Sequence, residues 1–222
     1  DPDAPDELFS RVLGDARPAL LISDTLPAGY TGEFLSPEVL LRQAEARSAR
    51  APSVPWLDDP QSRLASLFYT SGTTGRPKGA MLSHRNLSVC SWCYLADVDP
   101  YAPWSAMLHA APISHGAGLY GLAHIMKGSC QVIPESGGFE PAEIFELIEA
   151  WPHLAFFAAP TMVKRMLMSP IERDTTNLKA VIYGGGPMYV EDILAAMDRF
   201  GNKFTQLYGQ CFCKPDNTPF CG

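Results

Sequence analysis

The chain has 222 residues, of which 46% are hydrophobic and 18% charged, with a net charge of −7 at pH 7. That composition belongs to a globular protein with room for one good-sized core or two small domains, not to a disordered chain. No Lys/Arg cluster appears, which argues against a nucleic-acid partner, and no apolar run reaches the roughly 18 residues of a membrane span. The stretch from Asp1 to Asp6 has no signal-peptide character, so a soluble, cytoplasmic protein is the expectation.

In chain order, a strand is expected over 19–23. A helix then opens at Ser36-Pro37, with Ser36 as its N-cap, and runs to about Ala49. Residues 48–61 are rich in proline and polar side chains and read as a linker. They divide an N-terminal portion, 1–60, from a core over 62–210. Within the core, strands are expected over 64–69, 106–111, 130–134, 154–158, 178–183 and 203–208. Between them, Ile144, Leu147, Ile148 and Trp151 follow the spacing of one helix face, as do Val190, Ile193, Leu194 and Met197. Pro141 and Pro187 are placed near the first turns of those helices. Strand–helix alternation predicts an α/β fold, with largely parallel sheets flanked by helices.

Six cysteines are present. Cys90-Ser-Trp-Cys93 has metal-like spacing, and Cys211, Cys213 and Cys221 crowd the end of the chain, but a zinc site would need both groups to converge. Cys90 and Cys93 read better as neighbours on one helix face, so no metal site is expected and reduced thiols are.

The stretch from Tyr69 to Gly79, Tyr-Thr-Ser-Gly-Thr-Thr-Gly-Arg-Pro-Lys-Gly, concentrates hydroxyls, glycines and two cations. Glycines let backbone N–H groups approach an anion, Ser/Thr hydroxyls add donors, and Arg76 and Lys78 add charge. That chemistry suits a polyphosphate such as ATP. A P-loop shares the spacing from Gly72 to Lys78. Yet Pro77 stands at its second glycine and has no N–H to give, while Gly79 stands where a hydroxyl would hold magnesium.

This segment resembles the phosphate loop of the adenylate-forming enzymes: acyl-CoA synthetases, aryl-CoA ligases, luciferases and peptide-synthetase adenylation domains. Tyr183-Gly-Gly-Gly-Pro-Met188 is similar to the family's adenine-side glycine turn. Gln206-Leu-Tyr-Gly-Gln210 is similar to the start of its Tyr-Gly-x-Thr-Glu motif. The resemblance runs from about Leu64 to Gln210, and each motif begins where an expected strand ends, the position at which open α/β sheets gather ligands.

The resemblance implies that Thr70, Ser71, Gly72, Thr73, Thr74 and Gly75 wrap the β- and γ-phosphates of ATP, with Lys78 as auxiliary charge. Gly184, Gly185, Gly186 and Pro187 would lie against adenine, Tyr208 would stack on it, and Gln206 and Gly209 would complete the site. Ala111-Pro-Ile-Ser-His-Gly-Ala-Gly-Leu119 resembles the family segment that lines the acyl pocket near the carboxylate. His115 would stand there, with Gly116 and Gly118 allowing close approach. Thr73, Lys78 and His115 are the implied catalytic residues. His84, His109, His124 and His153 have no comparable context.

The implied activity is that of an acid-CoA ligase. A carboxylate attacks the α-phosphorus of ATP, with Mg²⁺ present, to give an acyl-adenylate and pyrophosphate, and the thiol of CoA then displaces AMP. Small-molecule partners follow: a carboxylic acid, ATP and CoA. The pattern breaks after Gln210, where Cys211 and Phe212 replace the family's Thr and Glu, and a phenylalanine has no oxygen for Mg²⁺. The tail over 211–222 carries no periodicity, and the family's C-terminal lid domain with its catalytic lysine is missing. The expectation is a piece of an enzyme, interrupted by truncation or a change of reading frame. The alternative is a catalytically incompetent fragment that binds nucleotide or acyl group.

Overall fold

The computed structural model describes residues 6–27, 29–46, 61–70, 78–100, 102, 104–209, 212–213 and 219–220. The chain divides into two compact units, Asp1–Pro60 with Leu67–Ala80, and Gln61–Ser66 with Met81–Gly222.

The first unit opens with helix α1, Asp6–Ala16, and continues through strands β1, Leu20–Ile22, and β2, Glu33–Leu35, which pair in parallel. Helix α2, Pro37–Ala46, begins directly after Ser36. The Ser36 hydroxyl accepts from the Val39 amide at 3.3 Å and satisfies one of the helix's orphan donors. Strands β3, Leu64–Thr70, and β4, Lys78–Ser83, pair in a two-stranded sheet whose residues are shared between the units. The Tyr69 hydroxyl donates to Asp15 on α1. Burial, with the Asp15 carboxylate adding to it, pushes that phenol up to about 12.

The first helix of the second unit is α3, His84–Cys93, held at its start by a reciprocal pair: Asn86 N donates to Ser83 Oγ at 3.2 Å and Ser83 N to Asn86 Oδ1 at 2.9 Å. The helix then widens into a π-helical turn over Tyr94–Val98, which the sequence pattern does not announce. Next come β5, Ala106–Leu108; α4, Ala117–Met126; β6, Cys130–Val132; α5, Pro141–Ala150; and β7, Leu154–Ala158. They are followed by α6, Pro160–Met168; β8, Leu178–Tyr183; α7, Val190–Phe200; and β9, Phe204–Gln206. Near the end, β10, Phe212–Cys213, pairs antiparallel with β11, Pro219–Phe220.

Strands β5 to β9 form one five-stranded sheet in the order β6-β5-β7-β8-β9, and every neighbouring pair is parallel. Alternation along the strands splits its core in two. Leu108, Leu154, Phe156 and Val181 face Phe145 and Ile148 of α5, Val163 of α6 and Phe200 of α7. Met107, Ala155 and Ile182 face Ala123 of α4 and Tyr94. Phe145 and Phe156 are essentially solvent-free, each contributing about 1.5–3 kcal/mol of transfer free energy.

The fold class expected from the alternation is the one observed. Strands β7 and β8 match their expected bounds, while β5, β6 and β9 are shorter than expected. Pro134 stands within the expected span of β6, just past its observed end, where its missing N–H removes a ladder bond. Pro141 opens α5 as expected. Pro187 does not open α7, which begins at Val190 after Tyr189 as N-cap.

Candidate functional site

The carboxyl ends of β8 and β9 meet. Leu207 N donates to Tyr183 O at 2.9 Å, so the two chains leave the sheet side by side. Gly184 is buried there, and a Cβ added to it would lie 2.5 Å from the Leu207 carbonyl oxygen, a backbone atom that cannot swing away. Gly185 has φ +79, the left-handed region, where a side chain is strained. Sequence alone leaves these glycines open to reading as any strand-to-helix turn; the geometry requires glycine at both.

Between the two exits lies a cleft of about 410 Å³, lined by residues 184–187 and 206–209. Two segments separated in sequence, each singled out by its own motif, thus share one surface. Gly184, Gly185 and Gly186 present backbone without side chains. Pro187 borders them, and Gln206, Tyr208 and Gly209 face them. Tyr208 is 86% exposed, so its ring is not a core aromatic closing a strand end.

The segment carrying His115 leaves the sheet after β5. From β5 the chain crosses to β6 on one side, and then returns past β5 to β7 on the other, so β5 and β7 flank the topological switch point. Pro112 O accepts from His115 N at 3.1 Å, and His115 O accepts from Gly118 N at 3.0 Å, winding the chain into α4. Ser114 Oγ lies 3.1 Å from His115 Nδ1. A Cβ on Gly118 would lie 2.1 Å from Ile113 O, whereas nothing lies within 4 Å of one on Gly116. His115 and Gly116 are exposed. One strand, β7, separates β5 from β8, so the His115 segment and the glycine turn leave the same sheet edge about 10 Å apart.

Thr70 is the last residue of β3 and Lys78 the first of β4. Ser71, Gly72, Thr73, Thr74 and Gly75 lie outside the described residues. No group of three or more His, Cys, Asp or Glu side chains capable of holding a metal occurs among the described residues, and Phe212 offers no oxygen.

Sequence reasoning missed two histidine settings. His109 Nε2 lies 2.7 Å from Gln131 Oε1, and the ring packs so closely on α4 that a Cβ on Gly121 would stand 2.8 Å from its Cε1. At the opposite, amino-terminal end of the sheet, His124 Nε2 lies 3.2 Å from both Asp99 Oδ2 and the Tyr94 hydroxyl. Lys179 Nζ completes that buried cluster at 2.6 Å from Asp99 Oδ1. Burial, reinforced by Asp99, keeps the Tyr94 hydroxyl protonated far above its usual range.

A family model described as "AMP-binding enzyme" matches residues 1–211. The chain belongs to this family. Among curated AMP-binding relatives, it is 31% identical over 217 residues to feruloyl-CoA synthase of Amycolatopsis sp, covering 93% of this chain and 42% of that protein. It is 30% identical over 172 residues to the medium/long-chain-fatty-acid–CoA ligase FadD8 of Mycobacterium tuberculosis, covering 75% of this chain and 29% of that protein. Among solved structures, ATP-bound MatB from Rhodopseudomonas palustris superposes with a TM-score of 0.74 at 27% identity, over 93% of this chain and 43% of that one. The chain spans less than half the length of these relatives. No helix among the described residues is long and apolar enough to cross a membrane.

Proposed function

We propose that this chain carries the nucleotide-recognising part of an AMP-binding enzyme that joins a carboxylic acid to the thiol of CoA. The observation that carries the reading is the cleft between Gly184–Pro187 and Gln206–Gly209, where side-chain-free backbone faces the exposed Tyr208 ring. A flat purine fits such a surface: peptide planes on one side and an aromatic ring on the other. Thr70, Ser71, Gly72, Thr73, Thr74, Gly75 and Lys78 would take the phosphates, as the resemblance of this segment to the family's phosphate loop implies. The acid would lie by His115, with Gly116 leaving room for its approach, whereas the place of a side chain on Gly118 is taken by Ile113 O.

The acid's carboxylate would displace pyrophosphate from the α-phosphorus, and CoA thiol would then displace AMP from the acyl-adenylate. Catalysis of the first step rests on holding carboxylate and phosphorus in line and on charge from Lys78, without a protein nucleophile. The acid-CoA ligases among the relatives support CoA as the acceptor. An enzyme drawing on ATP and CoA fits a cytoplasmic location.

The second reading is a fragment that binds nucleotide without turning it over. Cys211 and Phe212, standing where the resemblance puts Thr and Glu, favour it. Carboxylate-dependent exchange of labelled pyrophosphate into ATP separates the two. Exchange above background, abolished in Thr73→Ala and Lys78→Ala, establishes the ligase half-reaction. ATP binding without exchange establishes the fragment. Neither exchange nor ATP binding overturns both.

A further inference from the structure

Cys90 and Cys93 stand one turn apart on α3, and both are exposed free thiols. Their places are fixed. Ser91 is buried with its hydroxyl bonded to Leu87 O, and Tyr94 is buried and stacked on Tyr120 at 5.3 Å. The reciprocal Ser83–Asn86 cap secures the other end of the helix. Partial burial of Cys90 within the helix and the neighbouring Cys93 push the Cys90 thiol up.

Span decides what such a pair can hold. Helix neighbours three apart have Cβ atoms about 5–6 Å from one another. A disulfide needs them within about 3.5–4.5 Å, so direct closure would distort the helix. Structural zinc takes four ligands, and no group of three or more metal-binding side chains occurs among the described residues. A single soft atom inserted between the sulfurs meets neither obstacle. With two bonds of about 2.3 Å, the length of a zinc–thiolate bond, meeting at about 100° in a pyramidal centre, it bridges sulfurs about 3.5 Å apart, well beyond the roughly 2.05 Å of a disulfide.

We infer that Cys90 and Cys93 form a chelating dithiol for a trivalent arsenical, a soft centre satisfied by two sulfurs and its own carbon. With an arylarsine oxide, two As–S bonds form and the arsenic–oxygen bond breaks. The oxygen leaves as water with the two thiol protons, and nothing is oxidised or reduced.

The test uses the full, reduced chain with Cys211, Cys213 and Cys221 replaced by Ser, and phenylarsine oxide as the probe. One arsenical per chain is expected to survive a monothiol wash and to be released by a 1,2-dithiol. Cys90→Ser or Cys93→Ser lowers retention by about 100-fold or more, because the chelate becomes a single bond. Cys130→Ser leaves it unchanged, and glutathione disulfide leaves both thiols titratable. Retention that persists in either single variant, or is lost with Cys130→Ser, overturns the inference. So does closure of the pair by glutathione disulfide as readily as by the arsenical.

Discussion

Lys179 Nζ lies 2.6 Å from Asp99 Oδ1, with the two side chains 19% and 1% exposed. The pair joins the amino end of β8 to the segment entering β5, and the Lys179 ammonium also donates to Pro100 O. Burial by itself would raise the Asp99 carboxyl. Its bonds to His124 and Lys179 outweigh burial and hold it below the usual range. Breaking a buried pair strands one charge, so Lys179→Met should cost about 3–5 kcal/mol in urea denaturation at neutral pH. A depressed carboxyl contributes stability in full above its unfolded value, about pH 4, and loses it as pH falls through the folded value. Stability should therefore drop more steeply below about pH 4 in the native chain than in Asp99→Asn. Equal slopes would mean that Asp99 is not the group responsible.

The glycines of the site separate into those the backbone requires and one it does not. Gly184→Ala must push β9's exit away from β8, at a cost of about 1–3 kcal/mol, and should weaken ATP binding by opening the cleft. Gly185→Ala should cost about 1–2 kcal/mol through its left-handed backbone. Gly116 has φ −52 and ψ −27 and an open surround, so Gly116→Ala should leave stability unchanged or raise it by up to about 1 kcal/mol. Thermal denaturation of the three variants checks the ranking. Any loss of acid-dependent turnover in Gly116→Ala then reports room for a ligand rather than damage to the fold.

Much of this architecture is legible because local signals agree. The apolar run of β7 lies between His153 and Pro160, that of β8 between Asn177 and Gly184, and Pro141 stands at the start of a helix-period pattern. The glycine turn and the Gln206 segment were each readable alone; that they share one cleft depends on β8 and β9 being neighbours, which no local pattern states. Lys179 was not legible. A lysine in a strand reads as a solvent-facing residue, and nothing local marks the register shift against β7 near Leu154 and Ala155, beside which Lys179 stands. Its partner Asp99 is remote in sequence. His124 failed for the same reason, since a single histidine on an apolar helix announces no partner. The π-turn after Cys93 has no sequence signature of its own.

Arg199, near the end of α7, closes the end of α6. One guanidinium nitrogen donates to Met166 O, Leu167 O and Ser169 O at 2.9–3.0 Å, and the other to Ile171 O at 2.6 Å. The same guanidinium lies over the rings of Phe145 and Phe200, 5.4 and 5.2 Å from their centroids. Arg199→Ala should cost about 3 kcal/mol, since it leaves helix-end carbonyls short of a donor and removes packing from two rings. Arg199→Lys should recover less than half of that, because a point ammonium cannot reproduce the planar fork. Urea denaturation of both variants measures the difference.

Tyr208 supplies the sharpest separation of binding from folding. At 86% exposure its ring buries little area in the folded chain, so Tyr208→Ala should change stability by no more than about 0.5 kcal/mol. If adenine stacks on the ring, truncation removes about 1–3 kcal/mol of base–aromatic contact, which lowers ATP affinity roughly 5- to 150-fold. Tyr208→Phe keeps the ring and should retain most of that affinity. Titrations with a fluorescent ATP analogue, run beside thermal melts, distinguish the outcomes. Unchanged affinity in Tyr208→Ala would remove the ring from the site and leave the glycine turn as the cleft's remaining claim on a purine. Equal losses in Tyr208→Phe and Tyr208→Ala would shift the contact from the ring to its hydroxyl.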